Sequence, residues 1–149
     1  MRRLDTSFGK AEDSPGFMLW KASNLLQRLH AECLKPLDVT PTQFSLMTCL
    51  VFLFQDGPVT PSRIVTHTGM DKMLVSDLVK ALERKRLIRK KPNPDDGRSW
   101  LLEPSALGTT ITNSAVREIE ALDTRFFRRV KRTAAFHADL IALVSEAQR

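Results

Sequence analysis

Three groups of side chains in this sequence could do chemistry: two thiols, three imidazoles and a dense set of cations. His30 and Cys33 stand three residues apart, one helical turn, and folding could bring up Cys49 or His67. Thiolate with imidazole suits zinc or copper. One helical pair is a thin basis for a metal site, because buried cysteine is most often a small hydrophobe. No metal and no cofactor is therefore expected, and Cys33 and Cys49 remain the residues of an alternative, redox- or metal-responsive reading. Two cysteines without a CxxC spacing build no disulfide framework, which fits a reducing compartment. No Ser/His/Asp set, phosphate loop or spaced carboxylate pair occurs in a context that would position it. No catalytic residue is assigned, and the chain is not read as an enzyme.

The cations are a stronger signal. Arg84, Lys85, Arg86, Arg89, Lys90, Lys91 and Arg98 crowd one short stretch of a chain whose net charge is +6 and whose pI is near 9.7. Such values fit a polyanionic partner, but solubility alone also produces them, so the position of the charge decides. Within the stretch RKKPNPDDGRSW, Pro92, Pro94 and Gly97 mark a turn, while Leu87-Ile88 before it and Trp100 to Leu102 after it can pair as short strands. The result is a hairpin with a polar tip. Arg98 follows Asp96 by two residues there, and a carboxylate so placed could aim the guanidinium into a narrow, electronegative minor groove.

The elements that must position this hairpin are helical. Ser14-Pro15 supplies a cap and a first-turn proline for a helix with apolar residues at Met18, Ala22, Leu25, Leu29 and Cys33, ending near Lys35-Pro36. Phe17, Leu19, Trp20 and Leu26 widen its apolar surface beyond what one small core needs, which predicts packing against another subunit. Thr40-Pro41-Thr42-Gln43 reads as a capping box opening a helix that is apolar nearly all round from Phe44 to Phe54. Thr60-Pro61 starts a short third helix stopped by Gly69. Asp71 caps a fourth, with Leu74 or Val75, Leu78, Val79 and Leu82 facing inward.

Two helices joined by a glycine-containing turn and followed by a hairpin form a winged helix-turn-helix. Its expected partner is double-stranded DNA, with Ser62 on the third helix, Lys72, Met73, Ser76, Asp77 and Lys80 on the outer face of the fourth, and Asp96 and Arg98 on the wing. An acceptor such as Asp77 could read the amino group of cytosine. Ser105 caps a fifth helix with a stripe at Ile111, Ala115, Ile119, Leu122, Phe126 and Val130. Thr133-Ala134 breaks it, and a last helix carries Phe136, Leu140, Val144 and Ala147.

The expected fold is mainly α, a winged helix-turn-helix with a small β-hairpin, flanked by N- and C-terminal dimerisation helices. The divisions are a dimerisation segment over 1–35, the winged helix over 36–104 and a second dimerisation segment over 105–149. The N-terminal MRRLDTSFGKAED has no apolar segment, and Phe44 to Phe54 is too short to span a bilayer, so no membrane is expected and the protein is placed in the cytoplasm. Phe17, Trp20, Phe44 and Met47 could line an apolar pocket between the dimer helices and the winged helix, suited to a small aromatic or phenolic effector. The alternative is a winged helix used for protein contacts.

From Asp71 to Gly108, the residues Val75-Ser76, Leu78-Val79, Leu82-Glu83, Leu87-Ile88 and the wing run Asn93-Pro94-Asp95-Asp96-Gly97-Arg98 resemble the MarR family of bacterial transcription regulators. The resemblance implies a homodimer in which the first, fifth and sixth helices interlock. It also implies two winged helices on a palindromic operator, often as a repressor released by a small ligand or by oxidation, with Asp96 and Arg98 as the wing pair. Related peroxide sensors use tyrosine partners for their cysteine, and this chain has no tyrosine. Where the family often has glycine after the recognition helix, Arg86 stands here.

Overall fold

The structure is a computed structural model that describes residues 4–146. Among the described residues, six α-helices and one hairpin follow in the expected order: α1 (Pro15–Leu34), α2 (Pro41–Phe54), α3 (Pro61–Thr68), α4 (Lys72–Arg84), β1 (Ile88–Pro92), β2 (Trp100–Pro104), α5 (Ala106–Phe127) and α6 (Thr133–Glu146). Short 3₁₀ turns precede α1 and join α1 to α2. Each cap named from the sequence forms. The Ser14, Thr60, Asp71 and Ser105 side chains accept the N–H groups of Phe17, Arg63, Leu74 and Gly108, and Thr40 and Gln43 make a reciprocal capping box. Such a cap satisfies an otherwise orphaned backbone donor, at about 1 kcal/mol each.

The main core is the winged helix. Leu46, Leu50 and Leu53 of α2 meet Ile64 of α3 and Val75, Leu78, Val79 and Leu82 of α4, and Leu102 closes it from the wing. Val75 is buried and Leu74 is exposed, which resolves the alternative left open by periodicity. A smaller cluster of Leu34, Ala115 and Ile119 joins α1 to α5, and His30 Nε2 lies 2.6 Å from Asp123 Oδ1 across the same helix pair.

Several details differ from expectation. The strands are longer than the apolar runs, and Pro92 pairs with Trp100 at the strand end, where a missing N–H interrupts no ladder. Val59 exchanges backbone hydrogen bonds of 3.4 and 2.7 Å with Leu102, fastening the base of the wing to the α2–α3 loop. The fifth helix stops at Phe127, so Val130 lies in the turn rather than on the helical stripe. Thr133 and Ala134 begin α6 and do not break the chain there; the Thr133 hydroxyl donates to Val130 O within that turn. Ala147 lies outside the described residues.

Candidate nucleic-acid interface

The turn after α4 sets the relation between recognition helix and wing. Arg86 N–H donates to Glu83 O at 2.9 Å and Leu87 N–H to Leu82 O at 3.0 Å, the paired bonds of a Schellman motif. Arg86 carries the left-handed conformation that this motif requires, with φ +60°. The reversed chain docks on the start of α5, where Ser105 donates its hydroxyl to Arg86 O at 2.8 Å and its N–H to Leu87 O at 2.9 Å. Gly108 makes this approach possible, since a Cβ there would sit 2.0 Å from Leu87 O.

Between α3, α4 and the wing lies a cleft of about 490 Å³. Ser62, Lys72, Ser76, Lys80, Asp96 and Arg98 all line it, so one cavity gathers six candidate residues that the sequence spreads from 62 to 98. Met73 and Asp77 are exposed on α4 but do not line the cleft. Trp100 and Lys90 also form its wall, with the Lys90 ammonium 5.3 Å from the indole centroid. Sequence reasoning used Trp100 only as a strand former. Its alternation with the buried Leu102 put both on one face of the hairpin, which was the available signal.

The wing tip is held by its own backbone. Asn93 Oδ1 accepts from Asp95 N–H and Asp96 Oδ1 from Arg98 N–H, each at 3.0 Å, and Ser99 N–H donates to Asp96 O at 3.0 Å. Asp96 therefore fixes the main chain of Arg98 and does not clamp its guanidinium, contrary to the expectation. A carboxylate two residues before a turn N–H closes a small ring with it more readily than it reaches a long arginine tip. Arg98 is exposed, and among the described residues its guanidinium has no acidic partner.

The basic run divides. Lys85 Nζ reaches Asp38 O, Gln43 Oε1 at 3.1 Å and Asp38 Oδ1 at 3.5 Å, tying α4 to the start of α2. Lys90 pairs with Glu83 at 3.1 Å and Lys91 with Glu103 at 2.8 Å. These three lysines are paired within the scaffold, Lys90 from the cleft wall; of the run, Arg98 faces the cleft without an acidic partner among the described residues, as do Lys72 and Lys80 of α4.

The candidate effector residues do not share one cavity. Phe17 and Trp20 stack on the exposed side of α1 with centroids 6.0 Å apart. Phe44 is half-buried and Met47, at 2% exposure, belongs to the core. The cavity beside Trp20, about 650 Å³, is lined by Lys21, Asn24, Gln27, Arg28, Ala31 and Pro41 and by none of the other three.

The thiols stay apart from any ligand set. Burial pushes the Cys33 thiol above its ordinary pKa, with Glu118 and Asp123 adding to the rise and Arg125 opposing it. Burial also raises Cys49, against a smaller opposing effect of Arg63. His30 is engaged by Asp123, and no group of three or more metal-ligating side chains occurs among the described residues. No single helix among them is long and apolar enough to cross a membrane.

Helix, turn, helix and a two-stranded wing around one core define a winged helix-turn-helix protein. The MarR family pattern matches residues 39–100. The chain is 31% identical over 140 residues to the uncharacterized HTH-type transcriptional regulator YdcH of Bacillus subtilis, covering 93% of this chain and 95% of that one. It belongs to the MarR family, whose members are transcription regulators and not enzymes. Similar folds include the S. aureus MepR–DNA complex, with TM-score 0.83, 19% identity and coverage of 90% of this chain and 98% of that one. A mutant E. coli MarR complexed with operator DNA has TM-score 0.79 and 22% identity, covering 93% and 99%.

Proposed function

We propose that the chain is a homodimeric repressor that holds a palindromic operator between α4 and the wing and is released by a small aromatic or phenolic ligand. The observation that carries the DNA contact is the shared cleft. Lys72, Lys80 and Arg98 bring positive charge to a concave surface beside the hydroxyls of Ser62 and Ser76 and the single carboxylate of Asp96, and none of the three makes an ion pair among the described residues. Phosphate contacts of this kind supply affinity, and side chains on the outer face of α4 supply base readout, with Met73 and Asp77 as candidates. The DNA present in the MarR and MepR relatives supports the same use of the fold here.

Dimerisation is supported by apolar surface left open. Leu19 and Trp20 of α1 and Ile141, Leu143 and Val144 of α6 are each at least half exposed, and a groove of about 760 Å³ separates the end of α5 from α6. Such surface on one small chain fits an interlocked second copy. In this reading residues 1–35 and 105–149 form the dimer, 36–104 form the DNA-binding unit, and the protein acts in the cytoplasm. Trp20 offers the effector an apolar wall, with Arg28 beside it for an acidic group.

The test is a set of wing variants with binding read by fluorescence anisotropy at one salt concentration. Arg98→Ala is expected to weaken binding by about 1–3 kcal/mol. Asp96→Asn keeps an acceptor for Arg98 N–H and should bind nearly as wild type, whereas Asp96→Ala should lose part of the Arg98 effect by loosening the tip. If Arg98→Ala binds as tightly as wild type, the wing is not a DNA contact. A salt series separates the alternative of a protein-interaction module, which would not show a steep loss of duplex affinity with salt.

A further inference from the structure

Most of the chain's basicity lies away from the winged helix. Residues 125 to 132 read RFFRRVKR, and Arg125, Arg128, Arg129, Lys131 and Arg132 give five positive charges with no negative one. The whole chain sums to +6, so the other 141 residues sum to +1. These cations sit on the elbow where α5 ends at Phe127 and α6 begins at Thr133. All five are exposed, and among the described residues none pairs with a carboxylate.

The elbow is braced from within. Phe127 meets Phe126 edge-on at 5.1 Å and Phe136 at 6.1 Å, and Val130 N–H donates to Phe127 O at 2.9 Å. Half-buried Phe126, Phe127 and Val130 thus fix the turn and leave the cations in solvent. A solvated face usually mixes signs, whereas an unmixed block repels itself unless an anion is present.

The chemistry favours phosphate on nucleic acid. Four of the five cations are arginine, whose planar fork matches phosphate oxygens. A membrane surface would call for exposed apolar side chains beside the charges, and none of the large apolar residues of the elbow is exposed. Within a dimer formed by residues 1–35 and 105–149, the five elbow cations still point to solvent, since burying five unpaired like charges per copy would cost more desolvation than apolar contacts offset. Alpha 5 has 22 residues, which at 1.5 Å each hold the elbow about 33 Å from the start of α5 beside the wing. Duplex has a persistence length of about 150 base pairs and does not turn back over that distance unaided.

We infer that the α5–α6 elbow is a second nucleic-acid surface, gripping the phosphate backbone of a duplex segment other than the one between α4 and the wing. The first segment rests on the proposed function; the second rests on the elbow alone.

Four forms of the full chain test this: wild type, a wing-silenced form (Lys72→Ala, Lys80→Ala, Arg98→Ala), an elbow-silenced form (Arg128→Gln, Arg129→Gln, Arg132→Gln) and the combination. Circular dichroism checks that each is folded, and anisotropy with a labelled random duplex of roughly 30 base pairs follows binding from about 50 to 200 mM salt. The wing-silenced form should retain binding with a log–log salt slope of about −3 to −4, and the combined form should lose at least about tenfold more affinity. A wing-silenced form no tighter than the combined form overturns the elbow. An elbow-silenced form no tighter than the combined form refutes the cleft instead and leaves the elbow standing as the DNA surface. Two further results overturn the inference: elbow-dependent retention on phosphatidylserine vesicles without duplex binding, or dissociation of the elbow-silenced form to monomers, which would mean that the cations pair with a second copy.

Discussion

Arg86→Gly should make the protein more stable although it deletes a long side chain. Arg86 occupies the left-handed position of the Schellman turn at φ +60°. A residue with a Cβ pays about 1–2 kcal/mol in that conformation. Glycine avoids this but loses more backbone freedom on folding, about 0.5–1 kcal/mol. The difference leaves about 0.5–1 kcal/mol in favour of glycine, or about 1–4 °C in Tm for a chain of this size. Nothing in the structure offsets this through the side chain, because Arg86 has no ion pair among the described residues and its hydrogen bonds to Glu83 and Ser105 are made by the backbone. Arg86→Ala serves as the control, since it removes the guanidinium and keeps the Cβ. Urea unfolding of the three proteins at one protein concentration measures the effect, because self-association would make apparent stability depend on concentration. If Arg86→Gly is no more stable than Arg86→Ala, the backbone at Arg86 is not strained and the reasoning fails.

Gly108→Ala is expected to be among the most damaging single-methyl changes in the chain. The added Cβ would meet backbone, Leu87 O at 2.0 Å, and Met47 Cε at 3.0 Å, so the turn and α5 must separate at a cost of several kcal/mol, read as a lowered urea midpoint. Both thiols have raised pKa values, so the thiolate fraction is lowered near neutral pH and grows only as the medium becomes more alkaline than a free thiol requires. Iodoacetamide labelling of the folded protein should therefore be slower at pH 7.5 than that of a model thiol and should approach it on denaturation. Labelling as fast as a free thiol would revive the redox reading of Cys33 and Cys49.

The helices, their caps and the wing were legible in the sequence because they depend on local chemistry. A Ser, Thr or Asp side chain reaches a backbone N–H two or three residues ahead, and a proline or glycine acts on its own φ, so Ser14, Thr60, Asp71 and Ser105 declared their roles without knowledge of the fold. The apolar stripe on α4 was equally plain, except that periodicity left Leu74 and Val75 equivalent until packing against α2 and α3 buried one of them.

Tertiary structure decided what the charges are for. One basic run in the sequence became two populations in space. Lys85, Lys90 and Lys91 met Asp38, Glu83 and Glu103, while Arg98 was left to line a cleft beside Lys72 and Lys80 of α4. Asp96 and Arg98 look like an ion pair when read as neighbours, yet turn geometry gave the carboxylate to the backbone N–H. The requirement for Gly108 comes from a contact between residues 87 and 108 that exists only once α5 has docked. Local propensity acts over one turn of helix, whereas ion pairing, close backbone approach and the closing of a cleft depend on distances between segments far apart in the chain, and only the folded arrangement sets those distances.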